Sequence, residues 1–162
     1  MVAGFRKSIE RLKMSLPGAD WNRPLRETVI LASIVESEAA QPDERAIVAS
    51  VYTNRLKRKI LLQCDPTTIY ALKRAGEYKG VLRIADLQFD SPYNTYRYPG
   101  LPPGPITNPG YAALAAAIAP LQTNYLFFVR TTGGRHTFSE TLAAHNRAVQ
   151  KYRELERAAK QR

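Results

Sequence analysis

With 162 residues, 44% of them hydrophobic and 23% charged, the chain has enough apolar material for one domain with a genuine core. No stretch reaches the roughly 18 apolar residues of a membrane span, Met1 to Met14 mixes charge with apolar groups unlike a signal peptide, and the single Cys64 excludes an internal disulfide and a thiolate zinc site. A formal charge of +10 favours polyanionic surroundings (nucleic acid, anionic lipid or an acidic wall polymer) without choosing among them, because the basic residues are scattered.

A first helix is predicted over about Gly4 to Leu16, stopped by Pro17-Gly18. A short loop through Trp21 and Pro24 leads into a second helix that is apolar from Val29 to Val35 and closes on Glu36-Ser37-Glu38 before the breaker Pro42. Helical spacing puts Glu38 one turn beyond Ile34 and Val35 and two beyond Leu31, whereas Glu36 follows Ala32, Ser33 and Val29. The two carboxylates therefore point to nearly opposite sides, and only one is expected to face a cleft. An acid held against aliphatic side chains resists ionisation, so it carries a proton at neutral pH, as a general acid must.

A third helix is predicted from Asp43 or Glu44, which suit the positive dipole end, with Ile47, Val48, Val51, Tyr52 and Leu56 at core spacing beside Asn54-Arg55. Ile60-Leu61-Leu62 is a strand candidate. Asp65-Pro66 then supplies an N-cap and first-turn proline for a helix that stops near Gly76. From Ser91 to Gly110 the chain is a proline-stiffened loop carrying Tyr93, Asn94, Thr95, Tyr96 and Tyr98. Rigid tyrosines beside an amide suit the stacking and hydrogen bonding of sugar rings; they equally suit a loop that merely covers the core. Asn108-Pro109 opens an Ala-rich helix ended by Pro120. Tyr125 to Arg130 is a buried strand, turned by Thr131-Thr132-Gly133-Gly134 into Arg135 to Phe138 as a hairpin, and Ser139 caps a last helix with His145-Asn146 about two turns in and Leu142, Val149 and Tyr152 as its packing side.

Two histidines and no Asp-rich cluster argue against a metal site. There is no Gly-x-Ser-x-Gly elbow, and no Walker or dinucleotide glycine pattern. The Lys57-Arg58-Lys59 cluster and the basic tail from Arg147 to Arg162, broken by Glu154 and Glu156, read as solvated faces. Nor are the tyrosines interleaved with basic residues as a single-strand nucleic-acid groove requires, so no nucleic-acid partner is expected. Carboxylate chemistry remains.

Seven blocks, in order, resemble the YceG-type endolytic murein transglycosylases: Ala32 to Glu38; Val48 to Val51 with Asn54 to Leu56; Leu62 to Thr67; Tyr93 to Tyr96; Gly100 to Ile106; Tyr125 to Val129; and His136 to Phe138 with His145-Asn146. The resemblance runs from about Leu25 to Tyr152. Members were once labelled aminodeoxychorismate lyases, a pyridoxal-phosphate activity, but the lysines here occupy basic runs rather than an apolar pocket suited to a Schiff base, and no cofactor is expected.

The resemblance implies an α+β fold, helices around the glutamate helix with a small antiparallel sheet, forming one catalytic domain over residues 1–162. It also implies cleavage of the bond between N-acetylmuramic acid and N-acetylglucosamine without water, leaving a 1,6-anhydro end. One carboxyl group suffices: it protonates the leaving oxygen and then accepts the proton of the attacking C6 hydroxyl. The glutamate implied is Glu38, with Glu36 as the alternative; Ser33, Val35 and Glu38 reproduce the small, aliphatic, acid spacing of lytic transglycosylases. Asn54, Gln63, Asp65, Tyr93, Asn94, Thr95 and Tyr96 are the substrate-cleft candidates, although Asp65 equally suits a cap and Asn54 a helix-end tie. His136 and His145-Asn146 form a hydrogen-bonded wall or are structural. Cys64 stands where the family commonly has Thr, a mild change. The family's N-terminal membrane helix and LysM-like module are not in this chain, so membrane anchoring, an extracytoplasmic position and any peptidoglycan synthase partner are expectations about a longer protein. A non-catalytic glycan-binding module is the rival expectation.

Overall fold

The computed structural model describes residues 2–19 and 21–160. Helices α1 (Val2–Ser15), α2 (Leu25–Glu38), α3 (Arg45–Lys57), α4 (Asp65–Ala75), α5 (Tyr111–Ile118) and α6 (Leu142–Lys160) accompany one hairpin of β1 (Phe127–Arg130) and β2 (His136–Ser139). The α+β architecture is as expected. No described helix is long and apolar enough to cross a membrane.

The core explains the arrangement. α2 is apolar nearly all round, with Ile30, Leu31, Ala32, Ser33, Ile34 and Val35 buried, so it must be covered on several sides. α3 and α5 pack along it and α4 touches it, bringing Val48, Ala49, Tyr52, Ala113, Leu114 and Ala117 into one cluster. The small alanines of α5 permit close helix approach. Burying a side chain such as Leu31, fully inaccessible here, stabilises the fold by about 1.5–3 kcal/mol. The hairpin pairs antiparallel from Phe127 with Ser139 to Arg130 with His136, and α6 closes over it.

Local chemistry sets the helix ends. α2 stops at Ala39, whose backbone is extended, because Pro42 holds Gln41 extended as well. α4 ends on Gly76 at φ 76°, a left-handed position that glycine occupies without strain.

Five expectations about elements are corrected. Ile60 to Leu62 is no strand: the carbonyls of Leu61 and Leu62 accept hydrogen bonds from the Arg55 guanidinium instead of a neighbouring chain (2.9 and 3.1 Å). Asp65 is the first helical residue rather than the cap, and its carboxylate is taken by Tyr96. The Ala-rich helix starts at Tyr111, not Asn108, because Gly110 lies extended with its N–H on Glu36 Oε2 (3.1 Å). The first strand begins at Phe127 rather than Tyr125. Ser139 stays in β2, and Thr141 caps α6 by accepting the Ala144 N–H (3.2 Å), which leaves His145 in the first turn and Leu142 exposed.

Candidate active site

A cleft of about 630 Å³ opens where the C-terminal end of α2, the outer end of α3, the 62–65 segment, Tyr96 and the hairpin converge. Glu38, the last residue of α2, lines it. A carboxylate at the negative end of a helix dipole, with no basic residue in the last turn, is already unfavourable. Desolvation against its buried neighbours adds the dominant effect and raises the Glu38 pKa. Hydrogen bonds from Tyr52 and Cys64 oppose the rise, Asp65 adds to it, and His136 opposes it.

The two oxygens of Glu38 are not equivalent. Tyr52 Oη donates to Oε1 at 2.8 Å and Cys64 Sγ to the same oxygen at 3.3 Å. Oε2 has no partner among the described residues. Both donors are themselves buried and neutral: burial pushes the Tyr52 phenol and the Cys64 thiol well above their ordinary ranges. The carboxyl is thus held in place by groups that supply no charge.

Glu36 borders the same cleft, contrary to the expectation that one of the two would, but its oxygens are engaged elsewhere, by the Gly110 N–H and by Arg45 at 3.8 Å.

Of the other sequence-nominated residues, Gln63, Asp65 and Tyr96 line the cleft. Gln63 sits at φ 50°, a strained backbone for a non-glycine residue, with Oε1 accepting from Arg55 at 3.2 Å. Tyr96 Oη donates to Asp65 Oδ1, and burial together with that carboxylate raises the phenol far above its ordinary range.

Asn54, Tyr93, Asn94 and Thr95 are not in the lining, which corrects their nomination. Asn54 Nδ2 donates to the carbonyls of Thr123 and Tyr125 (2.8 and 3.0 Å) and ties down the approach to β1. Asn94 is fully buried with every polar atom used: Nδ2 on the carbonyls of Leu87 and Phe89, Oδ1 under Thr68 and the Tyr96 N–H. Thr95 accepts the Cys64 N–H and pairs with Thr67. Tyr93 packs on Tyr70 with its hydroxyl against Gly104, where a Cβ would come within 3.0 Å. The block is a scaffold whose last residue alone reaches the cleft.

Both histidines line it. His136 hydrogen-bonds through Nδ1 to the buried Glu44 (2.7 Å); His145 stacks on Phe127, and burial followed by the nearby Arg55 lowers its pKa.

Tyr52, Arg55 and the Phe127-Phe128 pair also line the cleft, without having been nominated from the sequence, and Glu44, outside the lining, holds His136, which is in it. Arg55 is 7% exposed, its guanidinium bonded to carbonyls and lying over the Phe127 ring, so it brings to the cleft a positive charge with no carboxylate partner among the described residues. The signal was the one that drew attention to Glu38, a charge among Val51, Tyr52 and Leu56 on a core-facing helix.

The sequence profile of the YceG-like family matches residues 1–151. This chain belongs to the YceG-like family. Over 128 residues it is 44% identical to the endolytic murein transglycosylase of Bacillus subtilis, a match covering 79% of this chain and 35% of that protein. It is 33% identical over 131 residues to the endolytic murein transglycosylase of Streptococcus pneumoniae, covering 79% of this chain and 24% of that one. A crystal structure of a yceG-like protein from Listeria monocytogenes superposes with a TM-score of 0.72 at 40% identity, covering 91% of this chain and 44% of that chain. The chain therefore spans about a quarter to a third of the length of these curated relatives.

Proposed function

We propose that this chain is the catalytic region of an endolytic murein transglycosylase, with Glu38 as general acid and then general base. The observation that carries the reading is the asymmetry of Glu38: desolvated, held at Oε1 by two neutral donors, and open toward the cleft at Oε2. The names of the two curated relatives support the substrate class.

That geometry supports each step of the proposed reaction. The raised pKa favours the protonated carboxyl, whose proton belongs on Oε2, since Oε1 accepts two hydrogen bonds. Oε2 gives this proton to the glycosidic O4 of N-acetylglucosamine as the bond from C1 of N-acetylmuramic acid breaks. The resulting carboxylate then takes the proton of the C6 hydroxyl of the same muramic sugar as O6 bonds to C1. Departure and attack occur on one face of the ring, so one group serves both, and the second carboxylate of an ordinary glycosidase is not required. Tyr52 and Cys64, through their hydrogen bonds to Oε1, stabilise the transient carboxylate. Murein lies outside the cytoplasmic membrane, and the domain is proposed to act there.

Mass spectrometry of digested murein tests this. Anhydro-ended products fall by about 10³-fold or more in Glu38→Gln and persist in Glu36→Gln; the reverse pattern moves the acid to Glu36, and persistence in both refutes the mechanism.

A further inference from the structure

The mechanism leaves one built feature of the cleft unused. Glu44 lies between α2 and α3, is 3% exposed, and turns its carboxylate to the hairpin rather than to solvent. Oε2 meets His136 Nδ1 at 2.7 Å, Oε1 accepts the His136 backbone N–H at 3.1 Å, and Arg135 Nε stands 3.5 Å from Oε1. The His136 side chain is 5% exposed. Its Nε2 has no partner among the described residues, yet is not one of their fully buried unpaired atoms, so the exposed sliver of the ring includes this nitrogen, and His136 lines the cleft. With the Glu44 carboxylate facing Nδ1, the uncharged form of the ring carries its proton on Nδ1 and offers Nε2 as an acceptor. Phe128 packs edge-on against the imidazole and Phe138 lies beside it, with ring centroids 5.1 and 6.1 Å away. The dyad thus presents one oriented hydrogen-bond acceptor to whatever fills the cleft.

We propose that His136, braced by Glu44, is a specificity residue that accepts a hydrogen bond from the 2-acetamido N–H of the sugar whose C1–O4 bond is cut. The inference rests on the function proposed above. Glu38 already covers the O4 and C6 hydroxyl protons, both on one ring face, so an acceptor on a different element serves another part of the sugar. The acetamido group carries a single N–H, which an oriented acceptor can satisfy, and drawing that hydrogen toward Nε2 shifts electron density onto the amide oxygen, strengthening it as an internal partner for the positive charge developing at C1, as in substrate-assisted glycosidases. A free amine at C2 can still donate to Nε2 but has no carbonyl to polarise, so it gives C1 no internal partner and is cut more slowly. Glu44 is a positioning residue that sets the tautomer and the ring's aim.

The test is a competition within one digest of glycan strands in which part of the muramic acid has been de-N-acetylated, reading the N-acetyl content of the anhydro ends. The wild-type chain is expected to favour N-acetylated ends by about 10²-fold, because the competitor lacks the carbonyl that the His136 contact polarises. His136→Asn, whose amide reproduces the Nδ1 contact to Glu44 but has nothing at the Nε2 position, is expected to cut about 10-fold or more slowly and with the preference reduced to about 3-fold or less. His136→Gln, which replaces Nε2 instead, keeps more of it. Because the preference is a ratio taken within one digest, a general loss of stability does not move it. Undiminished discrimination in a folded His136→Asn chain overturns the proposal, as does a wild type that does not discriminate. Abolition of all cleavage in both variants at unchanged melting temperature also overturns it, by making His136 a proton-transfer group. If both variants are unfolded at the assay temperature, Glu44→Gln decides: retained wild-type preference refutes the dyad. Failure of the underlying reading is separate, since it is seen as undiminished cleavage by Glu38→Gln.

Discussion

Two glutamates six residues apart, Glu38 and Glu44, end up in opposite electrostatic conditions. Glu38 closes a helix, is bonded by a phenol and a thiol, and has its ionised form penalised by burial. Glu44 precedes a helix, and its carboxylate is met by an imidazole, a backbone N–H and a guanidinium. Burial alone therefore does not say what a buried acid does. Donors without charge leave a proton available for chemistry; donors that carry charge or fixed hydrogens turn the carboxylate into a structural pin.

The comparison can be broken most severely at its proposed reactive member. Glu38→Gln removes the transferable proton but keeps the shape, and cleavage of murein falls by about 10³-fold, against a much smaller loss in Glu44→Gln, as product analysis by mass spectrometry would record. On stability the order reverses. Glu44→Ala leaves the buried His136 Nδ1 and the His136 backbone N–H without their acceptor and costs about 1–3 kcal/mol, read by denaturant unfolding.

Glu38→Gln, in contrast, is expected to melt higher than the wild type at pH 8. The sign follows from the raised pKa: the folded chain favours the protonated carboxyl, so this group's contribution is fully present below the unfolded carboxylate value of about 4.3 and is lost as pH rises through the folded pKa. The advantage of the variant therefore closes as pH is lowered to about 4. A higher-melting wild type at pH 8 would show that the fold prefers the carboxylate.

Tyr52→Phe sharpens the picture with a smaller effect. It deletes one of two donors to Oε1 at a cost of about 1 kcal/mol in stability. The ionised form loses a hydrogen bond, so the Glu38 pKa rises further and the alkaline limb of the pH-rate profile, which reports loss of the acid, moves up. The smallest effect expected is at Gln63: replacement by Gly relieves its left-handed backbone and offsets part of the lost Arg55 contact, leaving stability within about 1 kcal/mol of wild type.

Helices were legible wherever apolar spacing was regular, as in α2 and α3, and where glycine or proline marked the end, as at Gly76 and Pro17. Short irregular pieces were not. Ile60 to Leu62 has strand composition, but its carbonyls are claimed by Arg55, a residue distant enough in helical phase that no local pattern announces the contact. Tyr93, Asn94 and Thr95 were nominated for the cleft because aromatic and amide groups suit sugars. The same hydrogen-bonding capacity also suits a buried staple, and residue type does not distinguish the two uses.

By itself the sequence determined which helix must be covered on all sides, that an acid stands at its end, and that the chain carries the ordered blocks of one family, because periodicity, helix breakers and motif order are properties of the chain read locally. Only the tertiary structure decided that Tyr52 and Cys64 share one oxygen of Glu38, that the buried Arg55 guanidinium is bonded to backbone carbonyls, and that Glu44 holds His136 in the lining of the same cleft. Those are pairings across 14, 26 and 92 residues in hydrogen bonds whose partners are chosen by packing, and hydrogen bonds are directional over about 3 Å, a precision that spacing along a chain does not carry.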